Sequence, residues 1–160
     1  MTVITVSSPS GRIDATQRET LAVTLTDAVL VPEIGQPLPA ARIGFQVHFH
    51  ELPPTHMSIG GQLLSRQNAD ILVVDVAVMD GDWPREVRAE VITRLFAALA
   101  DALGLPAPSP TWWINFRVIE EGSWGSRGGV LSILDLLETG AFTAAKSAAI
   151  RTAQQQGAGQ

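Results

Sequence analysis

The side chains best able to hold or move charge in this sequence are a few arginines, three histidines and a cluster of tryptophans. Arg12 follows Ser8-Pro9-Ser10-Gly11, a turn composition, so its guanidinium is displayed at the end of a chain reversal. There it either holds an anionic group or pairs with a nearby acid. Arg117 alternates with apolar neighbours and either faces a pocket from a neighbouring subunit or joins an intersubunit ion pair. His48 and His50 share one face of an alternating segment with Gln46, and His56 follows in a turn. An imidazole titrates near neutral pH, which makes His48 a candidate proton carrier. Two histidines at i and i+2 lack a third ligand on their face, since Glu51 points the other way, so no metal site is expected. Trp112 and Trp113 are adjacent on a strand and must point to opposite faces, one to the core and one to an interface or pocket wall.

Composition excludes several other chemistries. There is no cysteine, hence no disulfide, thiolate metal site or cysteine nucleophile. Eleven basic residues against sixteen acidic ones give a net charge of −5 without a basic cluster, which disfavours a nucleic-acid backbone or an anionic membrane. No glycine-rich segment has nucleotide-binding spacing. The opening MTVITVSSPSGR has neither the charge nor the apolar run of a signal peptide, and Asp or Arg interrupts every candidate membrane span. A cytoplasmic protein is expected. Hydrophobic residues make up 46 % of the 160 and charged ones 17 %, which suits a real core and further burial in an oligomer.

The elements that must position these residues come in two similar sets. Thr2–Ser8 reads as a strand. Thr16-x-x-Glu19 reads as a capping box opening a helix with Leu21, Leu25, Ala28 and Val29 on one face and Pro32 at its end. A second strand over Arg42–Leu52 places Ile43, Phe45, Val47 and Phe49 on one side and Arg42, Gly44, Gln46, His48 and His50 on the other. The plan then recurs: a strand at Ile71–Val78, a helix capped by Asp82 with Pro84 just inside it, a helical stripe of Val91, Leu95, Ala98, Leu99 and Ala102, a stop at Gly104 and Pro106, and a strand at Thr111–Glu120. Each set closes on a double glycine, Gly60-Gly61 and Gly128-Gly129, as in a tight hairpin or bulge. The long crossovers make each strand pair parallel with its helix on one face. Val130–Glu138 is a short edge strand or a helical turn. The Ala-rich end is a frayed helix or arm followed by a disordered tail.

Gly11-Arg12 after the first strand, Glu51-Leu-Pro-Pro-Thr-His-Met-Ser-Ile-Gly-Gly61 after the second, and Trp124 with Gly128-Gly129 in the second set together resemble the 4-oxalocrotonate tautomerase group, over roughly residues 2 to 137. In that family an N-terminal proline amine, freed by removal of the initiating Met, carries the proton. The reference pKa of an α-amine is about 7.7–8.0 and falls in an apolar pocket near arginines. Here Thr2 occupies that place. With Met1 removed it has a primary amine; with Met1 retained its nitrogen is an amide and no base. The resemblance gives Arg12 the first family arginine's role. The second falls on Gln46 by gapless counting from Glu51, with Arg42 four residues earlier, and Met57 stands where the family has an aromatic pocket wall.

These observations imply an α/β fold of two tandem strand–helix–strand units, 1–67 and 68–140, forming one four-stranded sheet with two helices on one face, followed by an arm over 141–160. By resemblance the assembly is a homotrimer. The implied activity is cofactor-free keto–enol tautomerisation, or a related lyase or hydratase reaction, on a small carboxylate-bearing substrate. Thr2 and Arg12 would be catalytic, and Arg42, Gln46, His48, Met57, Arg117 and Trp124 would bind substrate. Two alternatives stand beside it: a catalytically silent trimer of the same fold that binds a carboxylate or a partner, and an unrelated ferredoxin-like binding module.

Overall fold

The computed structural model describes residues 1–157. In chain order the elements are β1 (Thr2–Pro9), α1 (Ala15–Ile34), β2 (Phe45–Leu52), a small hairpin of β3 (Ser58–Ile59) and β4 (Gln62–Leu63), β5 (Leu72–Met79), α2 (Arg85–Ala102), β6 (Trp112–Ile119), a second hairpin of β7 (Gly125–Ser126) and β8 (Gly129–Val130), α3 (Ile133–Leu137) and α4 (Ala144–Gly157). One sheet has the order β2-β1-β5-β6. β1 runs parallel to β2, and β5 parallel to β6, as the crossovers require. That parallel pairing sets aside the ferredoxin-like alternative. The two units meet through β1 and β5, which are antiparallel, with Ile4 opposite Val76 and Val6 opposite Val74.

Alternation along β1 decides which side is covered. Ile4 and Val6 are buried with Val74 and Val76 of β5, beneath Leu21, Leu25 and Val29 of α1 and Val91, Leu95 and Leu99 of α2. The two helices pack side by side over this face. Among the described residues no helix covers the opposite face. It carries rows in register: Gln46, Val3, Ala77 and Arg117 in one, His48, Thr5, Asp75 and Asn115 in the next. A second apolar cluster of Met79, Leu131, Ile133, Leu137 and Ile150, with Met1, Trp124 and Phe142 against it, lies where α3 and α4 fold back.

Four local expectations are corrected. Helix α1 is capped by Asp14, not Thr16: the Asp14 carboxylate accepts from the Gln17 amide at 2.8 Å and the Gln17 side chain accepts from the Asp14 amide at 2.9 Å. The capping logic is the one expected, two residues earlier. Pro32 does not end α1. In the last turn it forfeits a single ladder bond, and the helix closes at Gly35, whose left-handed φ of 82° lets its amide reach the Val31 carbonyl at 2.9 Å. The cap position of α2 is Pro84 rather than Asp82, which instead accepts from Lys146 of α4 at 3.4 Å. Finally, β2 begins at Phe45, because residues 39–44 coil into a 3-10 turn opened by Pro39. Arg42 is therefore not on the strand face.

Two open readings resolve. The segment after Gly128 is strand and then helix, β8 followed by α3. The Ala-rich stretch forms α4, with Ile150 buried in the second cluster. The tail expected beyond it lies outside the described residues.

Candidate active site

Thr2, at the head of β1, is 1 % exposed and donates its hydroxyl to Glu33 Oε2 at 3.1 Å. Met1 precedes it, with its α-ammonium 3.8 Å from Glu33 Oε1 and its carbonyl accepting from the Met79 amide at 3.4 Å. Around this head lies a cleft of about 300 Å³, walled mainly by apolar groups and lined by Met1, Glu33, Ile43, Arg127, Leu136 and Phe142 among others. One wall is the end of α1 and the 3-10 turn; the other is the segment joining α3 to α4. The Thr143 amide bonding the Ile34 carbonyl at 2.9 Å and the Gln36 side chain bonding the Ala141 carbonyl at 2.7 Å tie the walls together.

Glu33 is the unusual group here. It is 7 % exposed, on the last turn of α1 between Pro32 and Ile34. Removal from water pushes its carboxyl up from the ordinary value, against the lowering pull of the Met1 ammonium, the Thr2 hydroxyl and Lys146. A carboxyl so placed stays protonated to higher pH than a surface glutamate.

Arg12 sits at the other end of β1, roughly 25 Å away by the rise of an eight-residue strand. One chain does not bring Thr2 and Arg12 together. Arg12 grips Asp70 with two bonds, Nε at 2.7 Å and Nη2 at 2.9 Å, and the Trp112 indole adds a third donor to Asp70 at 3.1 Å. These hydrogen bonds hold the Asp70 carboxyl below its ordinary value, outweighing partial desolvation. Asp70→Asn is expected to lower the unfolding free energy by about 1–2 kcal/mol near neutral pH, a figure already reduced for solvent screening. Because the native pKa is depressed, that contribution is present above the unfolded value of about 3.9 and lost as pH falls through the native one. Urea midpoints of both proteins across that range check it; a gap that persists at the acid end counts against the ion pair.

The other candidates fall in separate places. Arg42 stands near the head of β2 but turns to Asp27, with bonds of 2.8 and 2.6 Å. Gln46, His48 and Arg117 lie on the helix-free face, where His48 Nε2 and Gln46 Oε1 are 3.0 Å apart. Trp124 packs with Met1 and Phe142 beside the Thr2 cleft, whereas Met57 belongs to the first hairpin. The two hairpins match bond for bond: the Leu64 amide reaches the Met57 carbonyl, and the Leu131 amide the Trp124 carbonyl, both at 2.9 Å. This pairing equates Met57 with Trp124. It also shows that the turn residues are Gly60-Gly61 in one and Arg127-Gly128 in the other, so Gly129 is not a turn glycine. Among the described residues no three histidine, aspartate or glutamate side chains gather as metal ligands, and no helix is long and apolar enough to cross a membrane.

Sequence reasoning missed Glu33 and Arg127. Pro32 made Glu33 look like a loop residue, although a single carboxylate inside Val29-Leu-Val-Pro-Glu-Ile34 was a usable signal. Arg127 was hidden by aligning the double glycines.

No protein-family model matches this sequence, and no curated protein matches it. Solved structures do match its fold. Pt0534, in a crystal structure inactivated by 2-oxo-3-pentynoate, is 25 % identical, with 84 % of this chain and 98 % of that one covered and a TM-score of 0.66. A wild-type fused 4-OT described as a symmetric trimer is 23 % identical, with 81 % and 94 % covered and a TM-score of 0.64. N1, described as a member of the cis-3-chloroacrylic acid dehalogenase family, is 19 % identical, with 94 % and 99 % covered and a TM-score of 0.65. The fold is that of these tautomerase-superfamily structures, in the fused 4-oxalocrotonate tautomerase-like form.

Proposed function

We propose that this protein catalyses cofactor-free proton transfer on a small carboxylate-bearing keto or enol acid, as a tautomerase or a related lyase or hydratase, at the cleft around the head of β1. The observation that carries this reading is the cleft itself: a mainly apolar space of about 300 Å³ lined by a buried acid, Glu33, and by a solvent-exposed arginine, Arg127, beside the chain's amino group. An apolar wall strengthens every charge interaction inside it, and an enol needs a proton donor and an anion holder rather than a redox group. Inactivation of Pt0534 by a 2-oxo acid supports the substrate class.

The protein acts as a homotrimer in this reading, supported by the fused 4-OT neighbours described as trimers and by exposed apolar side chains such as Trp113 at 58 % and Ile43 at 92 %. Such an assembly is also the means by which Arg12, Gln46 or Arg117 of one copy approaches the cleft of another. The cysteine-free composition supports a cytoplasmic setting. The silent-scaffold reading is favoured by one observation: with Met1 in place, the nitrogen of Thr2 is a buried amide.

Intact mass fixes the state of Met1, and ultraviolet absorbance follows ketonisation of the enol of phenylpyruvate by the same preparation. Turnover above the buffer rate is expected, with activity gained in Thr2→Pro if a free amine at that position works. Absence of turnover in both proteins, with Met1 shown to be missing, leaves the silent scaffold.

A further inference from the structure

Resting on that reading of the cleft, we infer that the proton carrier of this protein is the Glu33 carboxyl, with Arg127 as the anchor for the substrate carboxylate. Neither depends on a free amine at Thr2.

Three observations converge. First, Glu33 is buried against an apolar wall with one oxygen bonded by Thr2 and the other only 3.8 Å from the ammonium of Met1, so it is held in place without a tight bidentate partner. A buried acid in such a spot is costly to fold around, and a leucine or glutamine would fill the same volume more cheaply. Second, Arg127 lines the same cleft and joins no ion pair among the described residues. Third, Arg127 has φ of 52°, the one left-handed non-glycine position among the described residues. Its counterpart in the repeated hairpin is Gly60, φ 60°. The same turn is thus built once with the residue that fits it and once with a residue that strains it. Strain of about 1–2 kcal/mol kept beside a cleft is more naturally explained by what the side chain reaches than by the turn.

The step balances without a co-reactant. Neutral Glu33 gives its proton to the enol carbon next to the hydroxyl-bearing one, forming a C–H bond as the C=C electrons move to that carbon. The enol O–H gives its proton to water as C=O forms, and solvent returns a proton to the Glu33 carboxylate. Arg127 holds the substrate carboxylate throughout. Among the described residues the charged groups acting on Glu33 are the Met1 ammonium just ahead of β1 and Lys146 from α4, itself shared with Asp82; Arg127 of the second hairpin lines the same cleft.

The test compares wild type, Glu33→Gln, Glu33→Asp and Arg127→Gln in enol-phenylpyruvate ketonisation across pH, with thermal unfolding of each. Glu33→Gln keeps the Thr2 bond but cannot donate, and is expected to lose kcat by about 100-fold with KM unchanged and stability retained. Wild-type activity falls as pH rises through the Glu33 pKa, a limb absent in Glu33→Gln; Glu33→Asp restores part of the activity and that limb. Arg127→Gln is expected to raise KM about tenfold for the carboxylate substrate and not for its methyl ester. An active wild type with Glu33→Gln within threefold of it overturns the assignment while sparing the proposed function. An inactive wild type sinks both.

Discussion

Trp83→Ala is expected to lower the free energy of unfolding by about 3–5 kcal/mol, among the largest effects of any single truncation in this chain. Trp83 is 7 % exposed, belongs to the main core and meets the Phe116 ring at 5.7 Å between centroids. Its indole donates to the Met79 carbonyl at 3.0 Å, and its own carbonyl accepts from Arg88 Nε at 2.8 Å. Truncation therefore leaves a large void and strips a donor from the last residue of β5. Trp83→Phe separates the two losses, since it keeps most of the ring and is expected to cost only about 1 kcal/mol for the bond. Urea unfolding of the three proteins gives both numbers. Equal costs for the two variants would mean that packing contributes little. Because the Met79 amide bonds the Met1 carbonyl, the same residue steadies the head of β1 at second hand.

Gly35→Ala is the second large effect, expected at about 2–5 kcal/mol from two sources: about 1–2 kcal/mol for a left-handed L-residue and a further cost of about 1–3 kcal/mol for overpacking. A Cβ at Gly35 would lie 2.6 Å from Thr143 Oγ1 and 3.0 Å from Lys146 Cγ. The lysine chain can swing aside. Thr143 is less free, because its hydroxyl accepts from the Lys146 amide at 3.3 Å and its own amide bonds Ile34. Relief comes by lifting the start of α4, so amide exchange over residues 144–157 is expected to quicken beyond what the global loss explains. Gly11→Ala is the control, since Gly11 has φ of 76° with open space around it and incurs the conformational cost alone. Indistinguishable losses at the two positions would show that the contact with Thr143 yields freely.

Much of this architecture was readable from alternation and capping. Ile4 and Val6, or Val74 and Val76, occupy alternate places in short β-branched runs, and such a pattern has one comfortable solution. The helical stripe of Leu21, Leu25, Ala28 and Val29 is equally direct. What escaped depends on distant partners. Asp14 outcompetes Thr16 because its carboxylate finds the Gln17 amide in the geometry the preceding turn imposes. Pro32 stays helical because Gly35 and Thr143 meet the carbonyl groups of Val31 and Ile34 on either side of it. Arg12 carries a turn signature that says it will be displayed, yet only the approach of Asp70 from the other unit says to what. Glu33 and Arg127 were the hardest, because the cleft they share is assembled from four segments far apart in sequence.

The opposed directions of β1 and β5 have one more consequence. Two identical halves joined across such a seam would be bound by symmetry to repeat any chemistry at both poles of the sheet. Covalent linkage lifts that obligation. One pole here commits its arginine to an ion pair between Arg12 and Asp70, while the other keeps its acid and its strained arginine lining one hollow. A duplicated chain can spend one copy on holding itself together and leave the other free to specialise.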